Sequence, residues 1–290
     1  MYLLSWRKNS DYFSLRTRLR AHAMKFKSPW LVKPHTKVRL ADCPTHTKDD
    51  HSPEAAAAIL TSHRDRLSEI QEVLYAGQQH ALLIVLQGMD TAGKDGTISH
   101  IFSGINPQGC DVARFNVPTP LEARHDFLWR CHAQVPPHGM IGIFNRSHYE
   151  DVLPPRVHKQ IDTKTAHHRM DEINQFESML AENGTLILKF FLHISKDEQK
   201  SRLKARIDDP NKHWKFSSSD LSERKFWSAY QAAYEDVLTR TSRKHAPWFA
   251  IPADNKWQRD LAISDILVNA LESLKLKYPK PQMDPSKMKL

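Results

Sequence analysis

The chain alternates between short apolar runs and longer segments whose apolar residues recur every three or four positions. Ala81-Leu-Leu-Ile-Val-Leu86 is apolar throughout and partly β-branched, the signature of a strand buried on both faces of a parallel sheet. Further strands are predicted at 111–117, 140–145, 186–194 and 248–251. Helices are predicted at 53–76, 94–103, 120–134, 164–182, 196–207, 220–240 and 256–276. The first opens on Asp50-His51-Ser52-Pro53-Glu54, with cap candidates, a proline in the first turn and an acid at the positive dipole end. Leu60, Leu67, Ile70 and Leu74 then share one face. Strand–helix alternation predicts an α/β fold, a parallel sheet with helices on both faces.

No repeat, low-complexity tract or linker interrupts the pattern. It reads as a single domain over 28–290, with a basic helical insertion near 208–219. The preceding 1–27 segment is basic, with Asp11 its only acid. It reads as a mobile tail, with a targeting presequence or a nucleic-acid arm as alternatives. Ordinary domain sequence begins near Met24, a candidate natural start.

A length of 290 residues supports one large α/β core. The apolar runs are too short to cross a bilayer, and 1–23 lacks the apolar stretch of a signal peptide. Cys43, Cys110 and Cys131 are odd in number and far apart, which suits reduced thiols in a cytoplasmic protein, and with no run long enough to span a bilayer no membrane partner is expected. The formal net charge of +9 favours polyanionic partners: nucleic acid, an anionic membrane or a phosphate chain.

Gly88-Met89-Asp90-Thr91-Ala92-Gly93-Lys94 fits GxxxxGK between a predicted strand and a predicted helix, the context that motif requires. Glycine lets the backbone turn back on itself. Successive N–H groups then form a nest for phosphate oxygens, and the helix start adds positive field. Lys94 supplies a mobile point charge. A ligand-free glycine turn is the plain alternative. The residue after the lysine is usually Ser or Thr, whose hydroxyl holds Mg²⁺. Here Asp95, Gly96 and Thr97 follow, so metal binding must be arranged differently. Asp90 is the natural substitute, because a carboxylate beside phosphates needs a divalent cation. An Asx turn is its alternative role.

The 140–145 strand ends in Asn145-Arg146-Ser147-His148-Tyr149-Glu150-Asp151. Ligands of open α/β sheets sit at the carboxyl ends of strands, so this polar burst falls beside the phosphate loop. Arg146 could fork onto phosphate. Glu150 and Asp151 could hold Mg²⁺, orient an acceptor phosphate, or merely complement a helix dipole. Further on, Arg202 and Arg206 lie four apart on one predicted helix, before a break at Pro210 and a cationic stretch with Lys212, Trp214 and Lys215. That suits a lid closing arginines over a transferring phosphoryl group, or a solvated basic face.

With these pieces in place the chain resembles the polyphosphate kinase-2 family. The resemblance covers roughly 32–285 and rests on five blocks: GMDTAGKDGT (88–97), FNVPTPLEARHDFLWR (115–130), GIFNRSHYEDVL (142–153), HISKDEQKSRLKARIDDPNKHWKF (193–216) and APWFAIPADNKWQRD (246–260). It implies a three-layer αβα P-loop kinase fold, like thymidylate kinase, with a helical lid near 206–219. It implies Mg²⁺-dependent, reversible transfer of phosphate from inorganic polyphosphate to nucleotides, adenine or guanine, by a homo-oligomer, a dimer or tetramer. Catalytic roles fall to Asp90, Lys94, Arg146, Arg202 and Arg206. Phosphate contacts fall to Gly88, Met89, Thr91, Ala92, Gly93, Asp95, Gly96, Thr97, Lys212 and Lys215. Arg114, Arg130, Asn145 and Glu150 become nucleotide-binding candidates, and Asp90, Glu150 and Asp151 metal candidates.

One departure narrows the resemblance. Many members carry Asp-Arg-Ser-Trp-Tyr-Asn where this chain has Asn145-Arg146-Ser147-His148-Tyr149-Glu150. An amide replaces the first carboxylate, and a carboxylate appears further on. This resembles the class III branch, which accepts nucleoside mono- and diphosphates, AMP and ADP. The alternatives are an ATP-dependent nucleotide kinase of thymidylate kinase type and a non-catalytic nucleic-acid-binding P-loop protein. Against the latter, no RNA-binding motif or aromatic-basic platform is present.

Overall fold

The structure, a computed structural model, describes residues 26–48, 52–215 and 218–281. Among them β1 (Ala81–Gln87), β2 (Cys110–Arg114), β3 (Ile141–Asn145), β4 (Thr185–His193) and β5 (Trp248–Pro252) form one parallel sheet ordered β2-β3-β1-β4-β5. β1 is central, and all of its residues are buried, which accounts for its unbroken apolar run. β2 is an edge strand, largely exposed. It stops at Arg114, short of the predicted 117: Phe115 makes a last bond to the Asn145 carbonyl (3.2 Å), and Pro118 beyond it has no N–H to donate.

The principal helices are α1 (Pro53–Gly77), α2 (Lys94–Ile101), α3 (Thr163–Glu182), α4 (Lys196–Asp208), α5 (Trp227–Thr241) and α6 (Lys256–Ser273). α1 starts where Ser52 accepts the Ala55 N–H (3.2 Å) with Pro53 in the first turn; of the other cap candidates, Asp50 and His51 lie outside the described residues. Its Leu60, Leu67, Ile70 and Leu74 are buried. α1, α2 and α6 cover one face of the sheet, and α3 and α5 the other, giving the three-layer αβα arrangement. The predicted 1–27 tail lies outside the described residues except at its end, where Phe26 packs edge-on against Phe249 at 5.3 Å. Trp30 and Val32 then bond the backbone of β5 (2.9 Å each), covering that sheet edge.

Two predicted helices are broken. Over 120–134 only Glu122–Arg124 and Trp129–His132 turn helically. Thr119 and Glu122 form a reciprocal cap (2.7 and 3.2 Å), yet Leu121 stays exposed, so no apolar face rewards extending the helix. Over 220–240 the chain forms Ser218–Glu223, a tighter turn at Arg224–Phe226, then α5. Among the described residues no helix is long and apolar enough to cross a membrane.

Behind the end of β3 lies a fully buried ionic cluster. Lys189 Nζ donates to Glu177 Oε2 (2.6 Å), the Tyr149 hydroxyl (3.0 Å) and the Thr241 carbonyl (2.8 Å). Glu177 Oε1 also accepts from Tyr149 Oη and pairs with His148 Nε2, both at 3.0 Å. The cluster ties α3, β4 and α5 to the segment that carries Arg146 and Glu150. Removing one partner strands the other charge in the core. Lys189→Met is therefore expected to cost about 3–5 kcal/mol in urea unfolding, with part recovered when Glu177→Gln is added.

Candidate active site

The 88–94 loop leaves the carboxyl end of β1, at the point where connections diverge to either side of the sheet. Gly88 packs so closely on β4 that a Cβ would lie 2.8 Å from the Leu192 carbonyl. Gly93 caps α2 at φ 105°, and a Cβ there would fall 2.0 Å from Arg259 Nη1. Both positions need glycine. Thr91 (φ 67°) and Arg146 (φ 63°) are left-handed without being glycine. Such strain, about 1–3 kcal/mol each, collects where surrounding structure enforces it. The N–H groups of Lys94, Asp95 and Gly96 open α2 without intrahelical partners, an arrangement that suits an anion.

Several predicted loop contacts lie deeper. Ala92 is buried and its N–H donates to the Met89 carbonyl (3.0 Å). Thr97 is buried and its N–H donates to the Gly93 carbonyl (2.9 Å). Met89 and Thr91 are also buried.

Lys94 Nζ folds back onto the Gly88 (2.8 Å) and Met89 (3.4 Å) carbonyls. Burial, then the Arg146 charge, lowers its pKa to about 8. Arg146 sits between two acids, with Nη2 3.1 Å from Asp90 Oδ1 and Nη1 3.6 Å from Glu150 Oε2. Burial raises the Glu150 pKa above the usual carboxylate value. Asp95 Oδ1 accepts from Asn145 Nδ2 (2.6 Å) and Arg114 Nη2 (2.8 Å). Burial opposes ionisation of Asp95, yet these two donors hold its pKa below normal.

Two clefts meet at Asp90, Asn116, Arg146 and Asp220. The first, about 360 Å³, is lined by the loop, Lys94, Arg114, Asn145, Arg206 and Trp214. The second, about 460 Å³, is lined by Arg130, Glu150, Asp151, Tyr230 and Tyr234, with Pro118 and Leu153 among its apolar walls. The four predicted nucleotide-binding residues are thus divided between the clefts. Arg130 is buried, bonding Asp151 Oδ2 and the Asn116 carbonyl at 2.7 Å each.

The two predicted lid arginines part company. Arg206 reaches the first cleft and pairs with Asp220 (3.4 Å). Arg202 instead runs beneath the loop. Its Nε meets Glu198 (2.7 Å), its Nη1 the Thr91 and Ala92 carbonyls (3.0 and 3.1 Å), and its Nη2 the Ala253 and Asp254 carbonyls (2.6 and 2.8 Å). It lines neither cleft. Four-residue spacing put both arginines on one face; the loop backbone captured the nearer one. Lys212 pairs with Asp209 one turn away (2.7 Å), and Trp214 is 78% exposed. Lys215 closes the Pro210–Lys215 turn.

Sequence reasoning missed Asn116, Gln199, Glu223, Arg224, Tyr230 and Tyr234. The tyrosines' i, i+4 spacing on a helix was the one readable signal.

Residues 50–279 match the family model described as polyphosphate kinase 2. The chain belongs to the polyphosphate kinase 2 family. It is 52% identical over 229 residues to an AMP/ADP-polyphosphate phosphotransferase of Meiothermus ruber, covering 79% of this chain and 86% of that one. It is 47% identical over 257 residues to an ADP-polyphosphate phosphotransferase of Rhodopseudomonas palustris, covering 84% and 89%. Among solved structures, polyphosphate kinase 2 from Arthrobacter aurescens superposes with a TM-score of 0.83 at 42% identity, covering 90% of this chain and 97% of that one. The loop, Arg146, Arg206 and Trp214 line this pair of clefts.

A lysine titrating near pH 8 in the free enzyme must be protonated to hold anionic phosphate. The kcat/KM for the phosphate donor is therefore expected to be level below about pH 8 and to fall above it. Bound phosphate raises the lysine pKa, so kcat should hold to higher pH. A kcat/KM constant from about pH 7 to 10 would contradict this role of Lys94.

Proposed function

We propose that this protein transfers the terminal phosphoryl group of inorganic polyphosphate to AMP and ADP, making ADP and ATP, reversibly. The observation that carries the reading is the pair of clefts sharing Asp90 and Arg146. The names of the two relatives supply the substrate class. The smaller cleft, with Lys94, Arg114, Arg146 and Arg206, suits a linear polyanion. The larger one, with tyrosines, proline and leucine beside Arg130, suits a nucleotide.

In the transfer, an oxygen of the acceptor's terminal phosphate attacks the terminal phosphorus of the chain in line. The bridging P–O bond breaks, and polyphosphate leaves one unit shorter. The attacking oxygen is already anionic at neutral pH, so no strong general base is required. What the protein must supply is alignment and positive charge. Arg146 lies where the clefts meet and can follow the phosphoryl group, exchanging its bonds to Asp90 and Glu150 for phosphate oxygens. Lys94 can swing from the loop carbonyls to the donor end. Arg206 joins from the lid side.

The acids fit Mg²⁺. Among the described residues no group of three or more His, Cys, Asp or Glu could hold a metal by itself. One or two carboxylates working with substrate phosphates is the usual Mg²⁺ arrangement. Asp90 and Glu150, converging on Arg146, would hold the ion, which neutralises phosphate charge when bound. Asp151 fits less well, being committed to Arg130.

The test is donor-specific. With polyphosphate, Mg²⁺ and no ATP, AMP should yield ADP and ATP, and ADP should yield ATP; parallel GMP and GDP reactions define the base preference. The KM for polyphosphate should rise with salt as the basic cleft is screened. Product formed only with ATP as donor would overturn the reading in favour of a nucleotide kinase.

A further inference from the structure

We propose that Gln199 and Arg224 form a positioning relay that couples the seating of the 218–226 segment to the orientation of the Asp90 peptide in the phosphate loop. Gln199, on α4, is only 2% exposed. Its Nε2 donates to the Asp90 carbonyl (3.1 Å), and its Oε1 accepts from Arg224 Nη1 (2.7 Å). These partners fix the amide's direction. Reversed, it would set N–H against guanidinium N–H and oxygen against carbonyl oxygen. Arg224 Nη1 also donates to the Lys196 carbonyl (2.8 Å), docking the guanidinium on the first turn of α4.

Arg224 directly follows the short helix Ser218–Glu223. That helix bears Asp220, which lines both clefts and pairs with Arg206. It also bears Glu223, which takes His158 Nε2 (3.0 Å) and the Tyr230 hydroxyl (2.7 Å). The segment is therefore seated by groups that face both clefts, and Arg224 reports that seating to Gln199.

The receiving end is a strained point of the loop. The Asp90 carbonyl immediately precedes Thr91, which is left-handed at φ 67°. Rotation of this peptide would carry the Asp90 carboxylate away from Arg146 and turn the Thr91 N–H relative to the nest. A seated segment thus holds the acid and the nest in register, and a displaced one releases them. A misplacement of about 1 Å costs on the order of 10²-fold in such reactions.

The inference rests on reading Asp90 as a group of the transfer site. Its test measures polyphosphate-to-AMP turnover in Arg224→Gln, Gln199→Met and the double variant, with Asp90→Asn and Arg224→Lys alongside and a melting temperature for each. Each single change is expected to lower kcat about tenfold while leaving the polyphosphate KM within about twofold. Arg224→Lys, which keeps a cationic donor on a long stem, should recover part of the loss. The double variant should lose no more than the worse single, because both residues are links of one relay. Wild-type kcat in Arg224→Gln, or a double loss equal to the product of the singles, would overturn the relay. If Gln199→Met does not fold, the half-buried Arg224 carries the test alone, and unchanged kcat still refutes it. Full turnover in Asp90→Asn would instead remove the site reading beneath it.

Discussion

The phosphate loop must present bare N–H groups and a lysine forward while its own carbonyls are satisfied from behind, and Arg202 is what reconciles the two demands. One guanidinium spans the Thr91 and Ala92 carbonyls on one side and the Ala253 and Asp254 carbonyls after β5 on the other. Arg259 Nη1 also reaches the Ala92 carbonyl, at 3.4 Å, and packs so near Gly93 that no side chain fits there. Charged hydrogen bonds of this kind contribute roughly 1.5–3 kcal/mol each, enough to hold left-handed Thr91 in place. With its back fixed, the loop meets an anion without reorganising, the condition under which fixed dipoles and charges act most strongly on a transferring phosphoryl group.

Ahead of that support the cations are lightly held. Lys94 rests on two carbonyls, Arg146 on Asp90 and Glu150, Arg114 on Asp95, and Arg206 on Asp220. Each partner is one that a phosphate oxygen can replace. The acids keep unliganded cations oriented and limit their mutual repulsion, and a divalent cation in their midst would leave the arginines free for substrate. The Asn145 amide belongs to the same economy. It donates to Asp95 from the first cleft, while Glu150 lines the second.

Features set by local sequence could be read in advance. The buried run of β1, the glycine pattern at 88–93 and Lys94 are contiguous, and each is dictated by chemistry within a few residues. The polar burst at 145–151 was legible because β3 delivers it to the same sheet end. Long-range partnerships were not. Gln199 and Asp90 are 109 positions apart, and Arg202 and Thr91 are 111 apart, so spacing alone grouped Arg202 with Arg206. Lys189, the one charged residue of β4's apolar run, is held by Glu177, twelve positions back on α3. The 120–134 segment has helical composition, but too little of it is buried for a helix to form.

The central claim is that the loop closed by Lys94 grips the phosphate that moves. The most direct measurement is turnover of Lys94→Ala with polyphosphate and AMP, at matched melting temperature. The account predicts a loss of more than about 10²-fold in kcat with the fold intact. Turnover near that of the unaltered protein would place the transfer chemistry elsewhere.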